Sequence, residues 1–159
     1  MKTKIFYLLT LIMLISCASH RNARLAKTQI KGDWELTSIT YDTDGLYKIS
    51  LFDGQSKECL EGSLWHFVIN NTSGYYQFQK PNCSEEIHNF YFTIEESKDD
   101  PQKLYFLLKP VDARHKSFDN KGYRLRLTSL EENQMQWDMN TNLDGKSFTI
   151  HLNFNKSNQ

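Results

Sequence analysis

Cysteine has the widest chemistry of any residue type in this chain, and it occurs as Cys17, Cys59 and Cys83. A thiol can be acylated, can be oxidised to a disulfide, and can serve as a nucleophile or a metal ligand. Cys17 directly follows an apolar run, whereas Cys59 and Cys83 lie in segments of mixed polarity. The first cysteine therefore needs a different explanation from the other two.

The apolar run before Cys17 is too short to cross a membrane. Lys2 and Lys4 precede residues 5–15, which are apolar except for Thr10. A helix of that length spans about 16 Å, roughly half of a ~30 Å bilayer core. This combination predicts an export signal and not a permanent span.

The four residues that end in Cys17 indicate the kind of export signal. Leu14-Ile15-Ser16-Cys17 resembles the lipobox of bacterial lipoproteins. In such precursors the thiol receives a diacylglycerol, signal peptidase II cuts before the cysteine, and further acyl chains such as palmitate are added. The resemblance implies a signal peptide at 1–16 and an anchor in the membrane through acyl chains on Cys17. An ordinary signal peptide, cut near residue 18, is the alternative.

The segment that follows the anchor is basic. Residues 18–31 contain no acidic residue and no sustained apolar period. We predict a tether over residues 17–31 and one domain at 32–159. In some bacteria with two membranes, an acidic cluster after the cysteine directs lipoproteins to the cell surface. Its absence favours the cell envelope, with the anchor in the outer membrane and the protein facing the periplasm.

Export also sets the chemistry of Cys59 and Cys83. Thiols outside the cytosol meet an oxidising environment, and an even number of cysteines there favours pairing. We predict a disulfide between these two residues. Two unpaired buried thiols are the alternative.

The other residue types that carry chemistry do not form a set. Acid pairs such as Glu85-Glu86 fall at predicted strand ends and turns, where solvated carboxylates are usual. No two histidines have the short spacing of a ligand pair. The formal net charge of +0 gives no reason to expect nucleic acid. We predict no enzyme activity, no catalytic or metal site, no cofactor and no nucleic-acid partner.

From residue 32 onward, apolar and polar residues alternate in eight segments. In residues 148–154, for example, Phe, Ile, Leu and Phe alternate with Thr, His and Asn. Period two indicates half-buried antiparallel strands. Turn signals such as Asp44-Gly45 and Ser73-Gly74 separate the segments. Short loops predict an all-β fold, an eight-stranded antiparallel up-and-down barrel, with a two-sheet sandwich as the alternative.

One hairpin allows its register to be predicted. If Trp65 lies opposite Phe78, then Phe67 lies opposite Tyr76, and all four rings share one face. The same register brings the two cysteines of the domain together at the open end of the hairpin. That places them within reach of the ~5.5 Å separation that a disulfide needs.

The start of the first strand carries a resemblance to a known family. The stretch KGDWELTSI resembles the Gly-x-Trp signature of lipocalins, here Gly32-Asp33-Trp34. LFDGQSKECLEGSLWHFVINNTSGYYQF, GYRLRL and FTIHLNF resemble the lipocalin-like lipoproteins of Gram-negative bacteria, over nearly all of residues 32–155. The resemblance implies a lipocalin-like barrel that binds a small apolar ligand, with Trp34 plugging the closed end. Lipocalins usually place an arginine of the last strand against this tryptophan, but here that strand offers only His151 and Lys156.

Aromatic residues are numerous at the alternate strand positions that should face the barrel interior. They are Trp34, Trp65, Phe67, Tyr76, Phe78, Phe90, Phe92, Phe106, Tyr123, Trp137, Phe148 and Phe154. An eight-stranded barrel has room for side chains or for one small ligand, so most of these rings should be core. Tyr76, Tyr123, Met135 and Met139 are the candidates for a pocket wall, because Met adapts in shape and Tyr adds a polar group.

The long connection at residues 42–62 is too apolar for free solvent. It includes Tyr47, Ile49 and Phe52. In lipocalins the first loop folds over the barrel mouth, so the resemblance implies a lid, and we predict a short helical turn over residues 47–52. A plug that packs permanently and never opens is the alternative.

Two functions are compatible with these features. The first is a membrane-anchored periplasmic lipocalin-like lipoprotein, a monomer, that binds or carries a small hydrophobic ligand. The alternative is an interaction or inhibitor lipoprotein whose packed barrel holds no small molecule. A cavity of about 300 Å³ or more with an open mouth favours the first, and a filled interior favours the second.

Overall fold

The computed structural model describes residues 21–45, 47–117, 119–143 and 145–157. The predicted signal peptide at 1–16 and the predicted lipidation site Cys17 lie outside the described residues. The helices are α1, Arg21–Gln29, and α2, Lys57–Leu60. The strands are β1 Gly32–Tyr41, β2 Ser50–Leu51, β3 Gln55–Ser56, β4 Leu64–Val68, β5 Ser73–Gln77, β6 His88–Glu96, β7 Leu104–Val111, β8 Tyr123–Leu130, β9 Gln134–Leu143 and β10 Lys146–Lys156.

The strands other than β2 and β3 close into one antiparallel barrel. Their order is β1-β10-β9-β8-β7-β6-β5-β4, and β1 pairs with both β10 and β4. Closure pairs both edges of every barrel strand, which removes exposed edges. The predicted eight-stranded up-and-down barrel is therefore confirmed, and the two-sheet sandwich is excluded.

Alternation along each strand builds the core of the barrel. In β10 the side chains of Phe148, Ile150, Leu152 and Phe154 are buried, and the residues between them are only partly covered. This is the period-two pattern of a strand with one face in the core. Of the rings expected to face inward, all are buried except Tyr123, which is partly buried.

Stacked rings fill the middle of the lumen. Trp137 stacks on Phe106 with ring centroids 4.4 Å apart and lies 4.5 Å from the ring of Phe154. The indole of Trp65 meets that of Trp137 edge to face at 5.6 Å. Such pairs add to the gain from burial alone. This part of the barrel is a packed core.

The predicted hairpin register was wrong by two residues. Trp65 lies opposite Tyr76, and Phe67 lies opposite Gly74. A Cβ atom at Gly74 would come within 2.5 Å of the Phe90 ring, so this position must be glycine for the neighbouring strand to pack. A shift by two keeps every side chain on its predicted face, which is why the inward residues were still assigned correctly.

Helix α1, Arg21–Gln29, occupies most of the segment 17–31 that was predicted to be a tether. Ala23 and Ala26 of the helix are buried, and Ile30 just after it is fully buried. The backbone N–H of Ala23 donates to a carboxylate oxygen of Glu96 in β6, and the Gln29 side chain donates to the carbonyl of Leu130. Residues 21–31 therefore belong to the folded unit and cover one end of the barrel.

Lysine occupies the place at the closed end where lipocalins usually have arginine. The Lys156 ammonium lies 4.4 Å from the centroid of the Trp34 ring. It also donates to the carbonyls of Gln29 and Lys31, and the Trp34 indole donates to the carbonyl of Ile30. Burial lowers the pKa of Lys156, while Asp33 acts in the opposite direction. This cluster joins β1, β10 and the end of α1.

Replacement of Lys156 by methionine should lower the free energy of unfolding by about 1–2 kcal/mol, since a cation–π contact and charged hydrogen bonds are lost together. Lys156→Arg is the matched control and should retain most of the stability. Urea unfolding of both variants measures the effect. Equal stability of Lys156→Met and wild type would show that the contacts of Lys156 do not stabilise the closed end.

Candidate functional site

The open end of the barrel lies opposite α1. The connections 42–63, 78–87 and 112–122 meet there, because β1, β5 and β7 all run from the closed end towards it. The predicted helical turn over residues 47–52 was placed wrongly. That stretch enters the β2–β3 hairpin, and the helical turn, α2, comes later in the same connection.

Phe52, at the tip of this hairpin, packs into the barrel mouth, and we call its side chain the plug. That this connection is a lid that opens stays a prediction. Its side chain is 2% exposed and meets the rings of Trp65 and Tyr123 edge to face, at 5.5 Å and 5.3 Å. Its φ of 44° and the φ of 64° at Asp53 lie in the left-handed region. Such a backbone persists only where the surroundings hold it. The other two residues predicted for a lid, Tyr47 and Ile49, are partly buried against the core.

A pair of hydrogen bonds holds the plug in place. The Tyr123 hydroxyl accepts from the backbone N–H of Asp53 at 2.7 Å and donates to a carboxylate oxygen of Asp53, also at 2.7 Å. Burial and the neighbouring carboxylate raise the pKa of Tyr123 to about 12. The hydroxyl therefore stays protonated at neutral pH and can make both bonds.

Beside the plug lies a cavity of about 310 Å³, which we call the mouth cavity. Apolar walls come from Phe52, Tyr76, Phe90 and Leu108, all of them buried. Its volume falls at the lower end of the range for small-molecule sites. The other residues that line it are Asp53, Gln55, Glu86, Ile87, His88, Asn89, Pro110, Val111, Asp112 and Ala113.

Two polar groups of the mouth cavity lack partners within the described part of the chain. Tyr76 is 4% exposed, and none of the contacts described for it is a hydrogen bond of its hydroxyl. The Nε2 atom of His88 is buried and unpaired, and the His88 ring stacks on Tyr76 at 4.6 Å. Buried polar groups normally have partners, so the unpaired His88 nitrogen, with the Tyr76 hydroxyl beside it, suits the cavity to a ligand or water.

The four residues predicted for a pocket wall are not brought together. Tyr76 lines the mouth cavity, and Tyr123 holds its plug. Met139 lines a separate cavity of about 350 Å³ between residues 47–51 and the β9–β10 hairpin. Met135 is 2% exposed and pairs with Phe154 near the closed end.

The mouth cavity also depends on residues that the sequence analysis missed. His88 shares the parity of Phe90 and Phe92 in β6, so alternation could have placed it inside. Asp53 is followed by Gly54, a turn signal within an apolar stretch. Neither signal says that the two residues meet.

The predicted disulfide is present and clamps this end of the barrel. Cys59 and Cys83 are bonded, with Cα atoms 5.7 Å apart. Cys59 lies on α2 and not on a strand, so the bond joins α2 to the connection 78–87. The Ser56 side chain caps α2 by accepting from the backbone N–H of Cys59. Lining residues of the mouth cavity lie on both sides of this clamp, with Gln55 shortly before Cys59 and Glu86 shortly after Cys83.

The outer wall of the barrel carries two histidine–carboxylate pairs. His66 Nδ1 lies 2.6 Å from Asp33, and His151 Nδ1 lies 2.7 Å from Asp138. Ser157 lines the same surface depression as His66, but no hydrogen bond between Ser157 and His66 is described. Within the described ranges, no group of three or more His, Cys, Asp or Glu residues could hold a metal ion.

A second apolar surface lies outside the barrel. A groove of about 460 Å³ crosses the outer face of β6, β7 and β8, where Thr93 and Leu107 are cross-strand partners. Unlike the mouth cavity, it lies on the outer wall. This outer groove is a second place where an apolar probe can bind, so an experiment on the mouth cavity must distinguish the two sites.

Protonation of His88 should weaken the fold. Burial lowers the pKa of His88 despite the opposing effect of Glu86, so the unfolded chain binds a proton more readily. Its contribution to stability is complete above its ordinary pKa of about 6.5 and is lost as the pH falls toward the lower folded-state value. His88→Phe should remove this loss. Urea unfolding at pH 8 and pH 5 should therefore show wild type losing more stability than the variant, and equal losses would contradict this.

Among the described helices, none is long and apolar enough to span a bilayer. No protein-family model matches the chain, and no curated protein is significantly similar to it in sequence. The class therefore rests on the fold: this is an all-β, lipocalin-like barrel of eight antiparallel strands. Its first strand begins with a Gly-x-Trp motif at the closed end of the barrel.

Proposed function

We propose that this protein is a lipid-anchored, lipocalin-like lipoprotein of the bacterial cell envelope that binds a small ligand with an apolar body at its mouth. The observation that carries the proposal is the mouth cavity, about 310 Å³ of space between buried apolar walls. Within the described residues, the buried Nε2 atom of His88 has no partner there. A site with mostly apolar walls and few polar groups is typical of small-molecule binding. The role is binding and not catalysis.

The position of α1 supports an orientation for the anchored protein. Cys17 precedes Arg21 by four residues, which reach at most about 14 Å. Since α1 covers the closed end, acyl chains on Cys17 would hold that end near the bilayer. The mouth would then face the aqueous compartment, and we place the anchor in the outer membrane with the mouth toward the periplasm.

Labelling with a radioactive fatty acid in a bacterial host tests the anchor. Wild type should be labelled, and Cys17→Ser should be unlabelled and keep residues 1–16, because signal peptidase II requires the lipidated cysteine. Equal labelling of both proteins would contradict a lipoprotein.

Fluorescence titration with 1-naphthylmethanol, a neutral apolar probe, tests the ligand site. The chain from residue 18 contains all of α1 and the barrel and is suitable for this measurement. Micromolar binding is expected, equivalent to about 8 kcal/mol. Ala113→Trp at the cavity rim should block it, whereas Thr93→Trp in the outer groove should not. Loss of probe binding in Thr93→Trp alone would show that the probe binds in the outer groove and not in the mouth cavity.

The packed middle of the barrel favours a second function. The rings of Trp65, Phe106 and Trp137 leave the lumen filled, as an interaction or inhibitor lipoprotein would need. No binding of any apolar probe to wild type, neutral or charged, would favour this function over the first.

A further inference from the structure

The charged residues that line the mouth cavity are all acidic. Asp53, Glu86 and Asp112 line it, and no lysine or arginine is among the described residues that line it. Lys121, which acts electrostatically on Asp53, is paired with Asp119 at 2.9 Å. A concave site with carboxylates and no cation attracts positive charge and repels anions.

Hydrogen bonds within the protein do not occupy all the oxygens of these three carboxylates. One oxygen of Asp53 accepts from the Tyr123 hydroxyl, and one oxygen of Asp112 accepts from the backbone N–H groups of Arg114 and Lys116. No hydrogen bond of the Glu86 carboxylate is described within the residues that the structure covers. Each side chain therefore has at least one oxygen available to a ligand.

A second and independent feature points to a ligand at the same place. Tyr76 is 4% exposed and lines the cavity, and no hydrogen bond joins its hydroxyl to another described residue, although Asp53 and Tyr123 are near enough to act on it. Burial, followed by Asp53, raises the pKa of Tyr76, so the hydroxyl remains neutral. It offers a donor and an acceptor where the apolar walls meet the acidic rim.

The walls suit a flat body that carries a cation. Phe52, Tyr76 and Phe90 bring aromatic rings to the cavity, with Phe52 and Tyr76 6.4 Å apart between ring centroids. Aromatic faces attract organic cations and pack against flat apolar groups. A fatty acid fits less well, since its carboxylate would meet three others.

We propose that the mouth cavity selects protonated amines, with the ammonium group at the Asp53 and Glu86 side and a ring-sized apolar body against Phe52, Tyr76 and Phe90. This inference rests on the proposed function, because it names the ligand class of the same site. It distinguishes this barrel from one that carries neutral or anionic lipids.

Three probes of nearly one shape and different charge test the inference: 1-naphthylmethylamine, 1-naphthylmethanol and 1-naphthoate. Calorimetric titration at pH 7 and low salt should show the amine binding about tenfold more tightly than the alcohol, with the anion weakest, as expected for paired against unpaired charge. The preference for the amine should shrink as salt is added.

A matched pair of variants identifies the groups responsible. Glu86→Gln should weaken amine binding by roughly two- to fivefold, the range for a solvent-exposed ion pair, and should affect alcohol binding less than amine binding. Glu85→Gln removes the same charge one residue away, from a side chain that does not line the cavity, and should change neither. Equal effects of both variants would contradict a specific contact.

The outcomes separate this inference from the function it rests on. Equal binding of amine and alcohol, or tighter binding of the anion, would overturn the inference while the binding function stands. Absence of binding by all three probes would overturn both.

Discussion

Truncation of Phe67 to alanine should lower the free energy of unfolding by about 3–5 kcal/mol, the usual cost of removing a buried phenyl ring. Phe67 is 1% exposed, and its ring lies 5.6 Å from those of Phe90 and Phe92 and 6.0 Å from that of Trp137. No small shift of one neighbour can fill the space that the ring leaves.

Tyr91→Ala is the control for this truncation, since Tyr91 lies on the outer face of the same wall and is 38% exposed. Its removal should cost less, about 1 kcal/mol. Urea unfolding at pH 7 measures both variants. A loss below about 1 kcal/mol for Phe67→Ala would mean that the lumen is loosely filled, which would contradict the packed core.

Removal of the disulfide has the second largest expected effect. The double variant Cys59→Ala/Cys83→Ala should lose about 3 kcal/mol in the chain-entropy model, because the unfolded chain is no longer closed into a loop. It should also bind 1-naphthylmethanol more weakly, since the connection 78–87 carries Ile87 to the mouth cavity and leads into His88.

Reduction of wild type is the matched control for the double variant and should give the same loss of stability. Thiol titration of the denatured, unreduced chain from residue 18 should find no free thiol. Two reactive thiols would show that the bond is absent.

Alternation along the chain was enough to predict the eight barrel strands and the inward face of their aromatic side chains, but not the short strands β2 and β3. It could not give height along the barrel axis, because a shift of register by two leaves each face unchanged. Met135 was therefore placed correctly inside but at the wrong end, and Trp65 was paired with Phe78 in place of Tyr76.

Helix α1 could not be recognised from hydrophobic periodicity. Its buried face consists of Ala23 and Ala26, which contribute little apolar signal beside Arg21, Arg24 and Lys27. Small residues allow the helix to approach the barrel closely, so the feature that suits it to packing also weakens its pattern. The lysine at the closed end was visible in the sequence, but its contact with Trp34 depends on the register of β1 against β10.

The mouth cavity depends on long-range contacts and so was the least predictable part. Its walls come from the β2–β3 hairpin and from β5, β6 and β7. The left-handed backbone at Phe52 and Asp53 turns the plug into the barrel, and Tyr123 fixes it from a distant strand. Sequence alternation could supply Tyr76 but not the arrangement around it.

The location of a bound probe is the most direct test of the central claim, that ligands occupy the mouth cavity and not the lumen or the outer groove. Two-dimensional NMR of the chain from residue 18, titrated with 1-naphthylmethanol, should show shifts concentrated at Phe52, Tyr76, His88 and Phe90. Signals from Phe106 and Trp137 should stay in place. Shifts centred on Thr93 and Leu107, or no shifts at saturating probe, would contradict the claim.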